Sequence, residues 1–358
     1  MPLAGLAAAH AEHARTPHAD THPGEDRHRA VEDVLGEPVG PLVVLLYGAY
    51  DNHPMTYSIV ARDGETGEFG VAVQSHYFQV GPTVPWAIAG VGAVATQSMV
   101  NVSFGPLGLD YMRAGYSAEQ ALKALLAADS EPQSRQVSLV DAQGNVATHT
   151  GIRCIPAARH RIGDGFSCQA NLMEKDTVWD AMFEAYMQSK DPLAERMLAA
   201  LDAAEAEGGD IRGKQSAAML VVSGKPTGRS WEDRMIDLRV EDAPDPLLEL
   251  RRLLRVKRAY IAMGDADHLA ESGDAAVAAA RLQEAIALAP EMVEIHFWGG
   301  LSMAQQGMLD AGCELMMKAV EKDRRWIETL HRLVASDRLP ADIAREVEAR
   351  LTSSARRP

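Results

Sequence analysis

The chain has 358 residues, of which 47% are apolar and 24% are charged, so it is long enough and apolar enough for about two globular domains. Its formal net charge is −15. A surface of that sign repels phosphate backbones, which excludes nucleic acid as an expected partner. The three cysteines, Cys154, Cys168 and Cys313, are odd in number and lack metal-ligand spacing. We therefore expect buried thiols in a reducing compartment and no bound metal.

The N-terminal region differs in composition from the rest. Residues 1–54 are rich in Ala, His, Pro and Glu and show no sustained period. Five histidines suggest a metal-binding tract, but no cysteine or carboxylate spacing supports a defined site. They are His10, His13, His18, His22 and His28. We expect this segment to be a disordered extension, or to precede the true start of the protein.

Targeting signals are not found in the N-terminal region. The extreme N-terminus lacks a basic stretch followed by an apolar core, so no signal peptide is predicted. The longest apolar run of the region, Pro41–Tyr47, is far too short to cross a bilayer. We predict a cytoplasmic protein without membrane contact.

From Thr56 onward, strand patterns alternate with blocks of helical spacing. The predicted strands are Tyr57–Arg62, Phe69–Ser75, Val91–Gln97, Gln136–Asp141, Asn145–Thr150, Phe166–Asn171, Ser216–Ser223 and Met235–Val240. The predicted helices are Pro106–Ala114, Ser117–Ala128, Val178–Ser189, Pro192–Glu207 and one that begins at Pro246. Hairpin-linked strands with helices in separate blocks favour an α+β domain over residues 55–255, with two sheets face to face and helices outside.

The remaining residues, 256–358, contain no strand pattern and show a 34-residue offset. Three pairs of equivalent residues carry it: Gly273 and Gly307, Leu282 and Met316, and Ala285 and Ala319. The spacing resembles two degenerate tetratricopeptide repeats, although Arg324 stands where a proline is expected. We predict a small all-α helical-repeat domain, with a generic helical bundle as the alternative.

Two motifs invite other functions and are set aside. The segment Gly90–Ala95 fits a dinucleotide-binding glycine pattern, but it continues as a strand rather than opening a helix, so no organic cofactor is predicted. Cys154 with His149 or His160 suggests a thiol nucleophile, yet nothing in the sequence arranges a third member of a triad.

Several motifs in consistent order resemble the family known as domain of unknown function 1028. They are Met55–Arg62, Gly70–Val73, Gly90–Gln97, Arg135–Val137, Gln169–Leu172, Gly208–Ala218 and Asp242–Pro246. The resemblance covers about 200 residues. It implies the four-layer αββα sandwich of N-terminal-nucleophile hydrolases, and it implies a reaction only weakly, because a fold does not fix an activity.

The family usually starts at the methionine that corresponds to Met55, which makes Thr56 the candidate nucleophile. In enzymes of this kind the free α-amine of the first residue, with a pKa of about 7.7–8.0, serves as the base. An amide nitrogen inside a chain cannot accept that proton. Either Met55 is the true initiator and is removed because threonine is small, or the chain is processed before Thr56. The structural alternative is that Thr56 only opens a strand.

Residues near Thr56 are the candidates for the rest of a site. A hairpin turn at Glu65–Thr66 would pair Thr56 with Gln74 or Ser75, so Ser75 and His76 are expected beside the nucleophile. Amide side chains at strand ends could donate to an oxyanion, and polar residues of a glycine-rich loop could bind a substrate carboxylate or form an Arg–Asp pair. These candidates are Gln97, Asn101, Asn171, Asp210, Arg212, Gln215 and Ser216.

The leading hypothesis is an amide hydrolase that acts on a small molecule or a short peptide-like substrate without a cofactor. The alternative is a non-catalytic binding module in which the helical repeats dock a partner protein. The sequence leaves homo-oligomer formation open.

Overall fold

The computed structural model describes residues 55–354, and the predictions made for residues 1–54 lie outside the described residues. The protein is a mixed α/β structure followed by a helical region. Its strands are β1 (Thr56–Arg62), β2 (Phe69–Ser75), β3 (Pro85–Ile88), β4 (Gly92–Ser98), β5 (Arg135–Asp141), β6 (Val146–Thr150), β7 (Arg159–Gly163), β8 (Phe166–Ala170), β9 (Ser216–Val222) and β10 (Arg234–Val240). Its helices are α1 (Phe104–Arg113), α2 (Ala118–Ala128), α3 (Val178–Gln188), α4 (Leu193–Ala206), α5 (Ser230–Asp233), α6 (Pro246–Glu271), α7 (Ala275–Leu288), α8 (Val293–Gln305), α9 (Leu309–Lys322), α10 (Arg325–Ala335) and α11 (Ala341–Ser354).

The strands form two antiparallel sheets. Sheet A has six strands in the order β10-β9-β2-β1-β8-β7, and sheet B has four in the order β3-β4-β5-β6. In sheet A, Thr56 lies opposite Ser75 across the β1–β2 hairpin, as the position of the turn predicts. The strand prediction is confirmed for eight strands. It missed β3 and β7, which are short strands at sheet edges with few fully buried residues.

An apolar cluster joins the two sheets. Val60, Val71 and Val73 of sheet A pack in one buried cluster with Ala93 and Val140 of sheet B. The opposite face of each sheet packs against helices, because successive side chains of a strand point to opposite sides. Sheet A meets α3 and α4 in one cluster, and sheet B meets α1 and α2 in another. Alternation along the strands therefore produces three layers of apolar contact.

Helix α6 belongs to two cores at once. Leu250 and Leu254 pack in the cluster of sheet A, whereas Ala259 and Ala262 pack in the cluster of the helical region. The domain boundary predicted at residues 255 and 256 therefore falls inside a continuous helix. No helix within residues 55–354 is long and apolar enough to cross a membrane.

The residues after α6 are helical throughout the described range, as predicted. Gly273 and Gly307 have φ angles of 93° and 86° and lie in the turns after α6 and α8. Only glycine adopts this left-handed conformation without strain. The prediction that both glycines lie in turns between helices is therefore confirmed.

We expect Gly300→Ala to destabilise the helical region, because α8 and α9 approach closely at this residue. A Cβ at Gly300 would lie 2.5 Å from the backbone oxygen of Gly312. Such overpacking costs about 1–3 kcal/mol of unfolding free energy. Gly264→Ala is the matched control, since Gly264 lies within α6 with nothing within 4 Å of its Cβ position. That change should stabilise by up to about 1 kcal/mol. Thermal unfolding of both variants checks the pair, and equal melting temperatures would contradict the close approach.

Candidate functional site

A row of three hydroxyls lies at one end of sheet A. Thr56 begins β1, Ser75 ends β2 and Ser216 begins β9, and the strand registers pair Thr56 with Ser75 and Ser75 with Ser216. Residues paired in this way project to the same face of a sheet. All three side chains are buried. The β1–β2 and β2–β9 ladders thus place the predicted nucleophile beside Ser75.

The hydroxyl of Thr56 is linked to the peptide bond that precedes it. Thr56 Oγ1 donates to Ser75 Oγ at 3.1 Å, and Ser75 Oγ donates to the carbonyl oxygen of Met55 at 2.7 Å. Arg212 Nη2 donates to the same carbonyl oxygen, also at 2.7 Å. The carbonyl group joined to the nitrogen of Thr56 therefore accepts two hydrogen bonds, one of them from a charged group.

Asp210 fixes the orientation of Arg212. The two side chains form a forked pair, with Nε to Oδ1 at 3.0 Å and Nη2 to Oδ2 at 2.7 Å. The carboxylate of Asp210 is fully buried and also accepts from the backbone nitrogens of His76 and Arg212. A buried carboxylate with four donors is well satisfied. The predicted Arg–Asp pair is thus present, and its guanidinium is held toward the Met55 carbonyl.

A layer of buried amide side chains lies behind Thr56, between the sheets. Gln97 Nε2 donates to the backbone oxygen of Thr56 at 3.2 Å, and the backbone nitrogen of Asn171 donates to the same oxygen at 3.1 Å. Gln97 also accepts from Ser58 at 2.6 Å, and both Gln97 and Asn171 donate to Gln136. In this arrangement the two amides hold the backbone of Thr56 rather than facing its hydroxyl.

The other predicted site residues have different surroundings. Ser216 Oγ bonds to the backbone of the loop at Tyr77 and Val80. In the described part of the chain, Gln215 contributes backbone hydrogen bonds alone, to Ser75 and Ala243. His76 is exposed and contributes its backbone nitrogen to Asp210. Asn101 bonds to Asp129 and Ser103, outside the group around Thr56.

Sequence reasoning missed Ser58, Gln136 and Gln169 as members of the amide layer. Gln169 Nε2 donates to Ser58 Oγ at 2.7 Å, and Gln136 Nε2 donates to the backbone oxygen of Ala170 at 2.9 Å. The available signal was the alternation itself: Ser58 lies two positions before Val60 and two after Thr56 on one face of β1, and Val60 belongs to the apolar cluster between the sheets. Polar residues on an inward face indicate a buried network.

Two alternative chemistries have no support in this arrangement. Burial raises the pKa of the Cys154 thiol, which donates to the backbone oxygen of Arg135, so a reactive thiolate is disfavoured. Gly92 begins β4 rather than a helix, which agrees with the rejection of a dinucleotide motif. Among the described residues, no group of three His, Cys, Asp or Glu side chains is arranged to hold a metal ion.

Comparison with known proteins gives a family but no activity. The model of DUF1028, described as a family of unknown function, matches residues 56–250. The crystal structure of a Silicibacter pomeroyi protein of that family is similar, with a TM-score of 0.51 and 31% identity over 56% of this chain and 84% of that protein. No curated protein matches the chain. Because the match covers more than half of the residues, the chain belongs to the DUF1028 family.

Proposed function

We propose that the protein is an amide hydrolase of the N-terminal-nucleophile type, built on an αββα sandwich, with Thr56 as its nucleophile. The observation that carries the proposal is the set of contacts at the Met55–Thr56 bond. The Thr56 hydroxyl, the Ser75 hydroxyl and the Arg212 guanidinium all meet at this bond. The opposed sheets with outer helices support the sandwich class.

The reaction has two steps, formation of an ester on Thr56 and its hydrolysis, and neither step needs a cofactor. The free amine of Thr56 takes the proton of its own hydroxyl while Oγ1 attacks the carbonyl carbon of the substrate amide. The amide C–N bond breaks, the leaving nitrogen receives that proton, and an ester forms on Thr56. Water, deprotonated by the same amine, then attacks the ester carbon, the bond between that carbon and Oγ1 breaks, and the amine returns the proton to Oγ1 as the acid is released. Gln97 and Asn171 hold the Thr56 backbone in place during both steps.

A free amine at Thr56 is the condition for this chemistry. With Met55 attached, the nitrogen of Thr56 is an amide and cannot act as a base. Two routes to the free amine remain: translation from Met55 followed by removal of that methionine, or cleavage of a longer chain before Thr56. In the longer chain, the Thr56–Ser75–Met55 hydrogen bonds connect the hydroxyl proton with the carbonyl oxygen of the bond to be cut.

We expect the starting residue to decide activity. Protein translated from Met55 should carry Thr56 as its first residue and hydrolyse members of a panel of small and peptide-like amides. Protein translated from Met1 and kept uncleaved should show no turnover, because its base is blocked. Intact mass fixes the first residue of each preparation and of the protein from its native host. Full turnover by an uncleaved chain would overturn the proposal, as would Met1 or Pro2 as the sole first residue in native cells.

A second candidate, a binding module of tetratricopeptide type, is favoured by a groove in the helical region. The groove has a volume of about 770 Å³ and is lined by Glu294 and Trp298 among other residues. Glu294 accepts hydrogen bonds from Tyr260 at 2.8 Å and from Trp298 at 3.3 Å, so its carboxylate has a fixed position. This candidate replaces the first under two conditions. No amide of the panel is hydrolysed, and a protein from the native host that binds the wild type no longer binds the Trp298→Ala variant.

A further inference from the structure

The two side chains that hold the Met55 carbonyl oxygen do not depend on Met55 for their positions. Ser75 is fixed as the last residue of β2, and Arg212 is fixed by its fork with the buried Asp210. The Arg212 side chain is 30% exposed, and its Nη1 has no hydrogen-bond partner within the described residues. When the chain starts at Thr56, the site that the carbonyl occupied therefore keeps both donors and an available guanidinium edge.

We propose that this site, once free of Met55, binds the carboxylate of an N-acylated amino acid. The inference rests on the proposed function and names its ligand class. Met55 itself presents the required geometry, because it is an acylated amino-acid residue whose carbonyl oxygen lies within 2.7 Å of both donors. Its acid product would carry a carboxylate at the same place. A guanidinium edge and a hydroxyl are suitable donors for the two oxygens of a carboxylate.

The charge balance at the site favours an anion. Asp210 neutralises Arg212 in the intact chain, where the nitrogen of Thr56 is an uncharged amide. A chain that begins at Thr56 has an amine in its place, which carries a positive charge below a pKa of about 7.7–8.0. One positive charge is thus added next to the two donors, so a carboxylate gains attraction there and a neutral amide of the same shape does not.

The test measures binding rather than turnover. The protein is translated from Met55 as Thr56→Ala, which has no nucleophile and still exposes a free amine. Every buried hydrophobic residue of the described range lies at Tyr57 or later, so none of them is lost with residues 1–55. The probes are N-acetyl-L-methionine and its neutral amide, titrated by calorimetry. We expect the acid to bind about tenfold tighter than the amide, the ratio that one charge-assisted hydrogen bond provides. The protein translated from Met1 should bind neither probe, because Met55 occupies the site.

Substitutions separate a binding role from a structural one. Arg212→Gln and Ser75→Ala should each lower the affinity for the acid probe by about tenfold. Arg251→Gln, which loses an exposed ion pair with Asp202, should leave that affinity unchanged. Arg212→Lys keeps the positive charge but cannot form the two-bond pair with Asp210, so its loss of affinity for the acid should be smaller than that of Arg212→Gln. If Arg212→Gln does not fold, the lysine variant is the test of the inference. Equal affinity for acid and amide, or equal affinity in the Arg212 and Arg251 variants, overturns the inference. The Thr56→Ala variant has no nucleophile, so its affinity for the acid does not depend on catalysis. A wild-type protein that hydrolyses no amide would therefore contradict the proposed function without deciding the binding result.

Discussion

Thr56→Ala in the protein that begins at residue 56 is expected to abolish amide hydrolysis while leaving the fold intact. The substitution removes the attacking oxygen, and loss of a nucleophile lowers turnover by on the order of 10⁴-fold or more. Within residues 55–354, the side chain makes one hydrogen bond, to Ser75. Its loss should cost only about 1–2 kcal/mol of unfolding free energy. Turnover of an amide substrate and thermal unfolding, measured on the same preparation, separate the two effects.

Two control variants sharpen that experiment. Thr56→Ser keeps an alcohol at the same atom and should retain measurable activity. Thr96→Ala removes another buried strand threonine, whose hydroxyl donates to the backbone oxygen of Asn101 at 3.1 Å, and should leave turnover within a few-fold of wild type. An active alanine variant would eliminate Thr56 as the nucleophile. The search would then move to His76 and the Asp210–Ser216 loop.

Gln97→Leu should produce the largest loss of stability. Gln97 is fully buried, and its amide bonds to Ser58, to the Thr56 backbone oxygen and to Gln136. Leucine has a similar size but leaves these groups without a partner, and each unsatisfied buried polar group costs about 1–3 kcal/mol. We expect a loss of about 3 kcal/mol in the free energy of unfolding, measured by denaturant titration. Loosening of the Thr56 backbone should also lower turnover.

The matched control for this substitution is Gln143→Leu. Gln143 is exposed in the turn between β5 and β6, so the same chemical change should alter stability by less than about 0.5 kcal/mol. If the two variants unfold at the same denaturant concentration, the amide layer does not stabilise the contact between the sheets.

Local rules were sufficient for the hairpin at the site but not for its interior. The turn at Glu65–Thr66 fixed the register, and that register brought Thr56 beside Ser75. The Asp210–Arg212 pair followed from a glycine-rich loop with opposite charges two positions apart. The contact of Arg212 with the Met55 carbonyl spans 157 positions, and no local pattern encodes it. The amide layer joins both sheets and depends on how they pack, which strand periodicity leaves open.

A sheet edge and the junction between the two regions were the other places where sequence patterns gave little information. The sequence of β7, Arg159–Gly163, is typical of a charged loop. Its residues can be polar because the strand lies at the edge of sheet A and is only partly buried. The predicted boundary between residues 255 and 256 lies after the last strand pattern, which ends at Val240, and within the helical spacing that begins at Pro246. Helical spacing continues across that point, and the change of core along α6 leaves no break in the chain.

Helix α6 connects the two-sheet region with the helical region as one continuous helix rather than as a flexible linker. Its 26 residues extend for about 39 Å at the usual rise of an α-helix. Near the middle of α6, Arg258 forms a forked ion pair with Glu195 of α4, with Nε–Oε1 and Nη2–Oε2 distances of 2.8 and 2.7 Å. If the two regions moved independently, backbone hydrogen bonds of this helix would have to break. Each broken bond costs about 0.5–1.5 kcal/mol of free energy. A force applied by a partner bound to the helical region would therefore be transmitted to sheet A, through the end of α6 that packs on it.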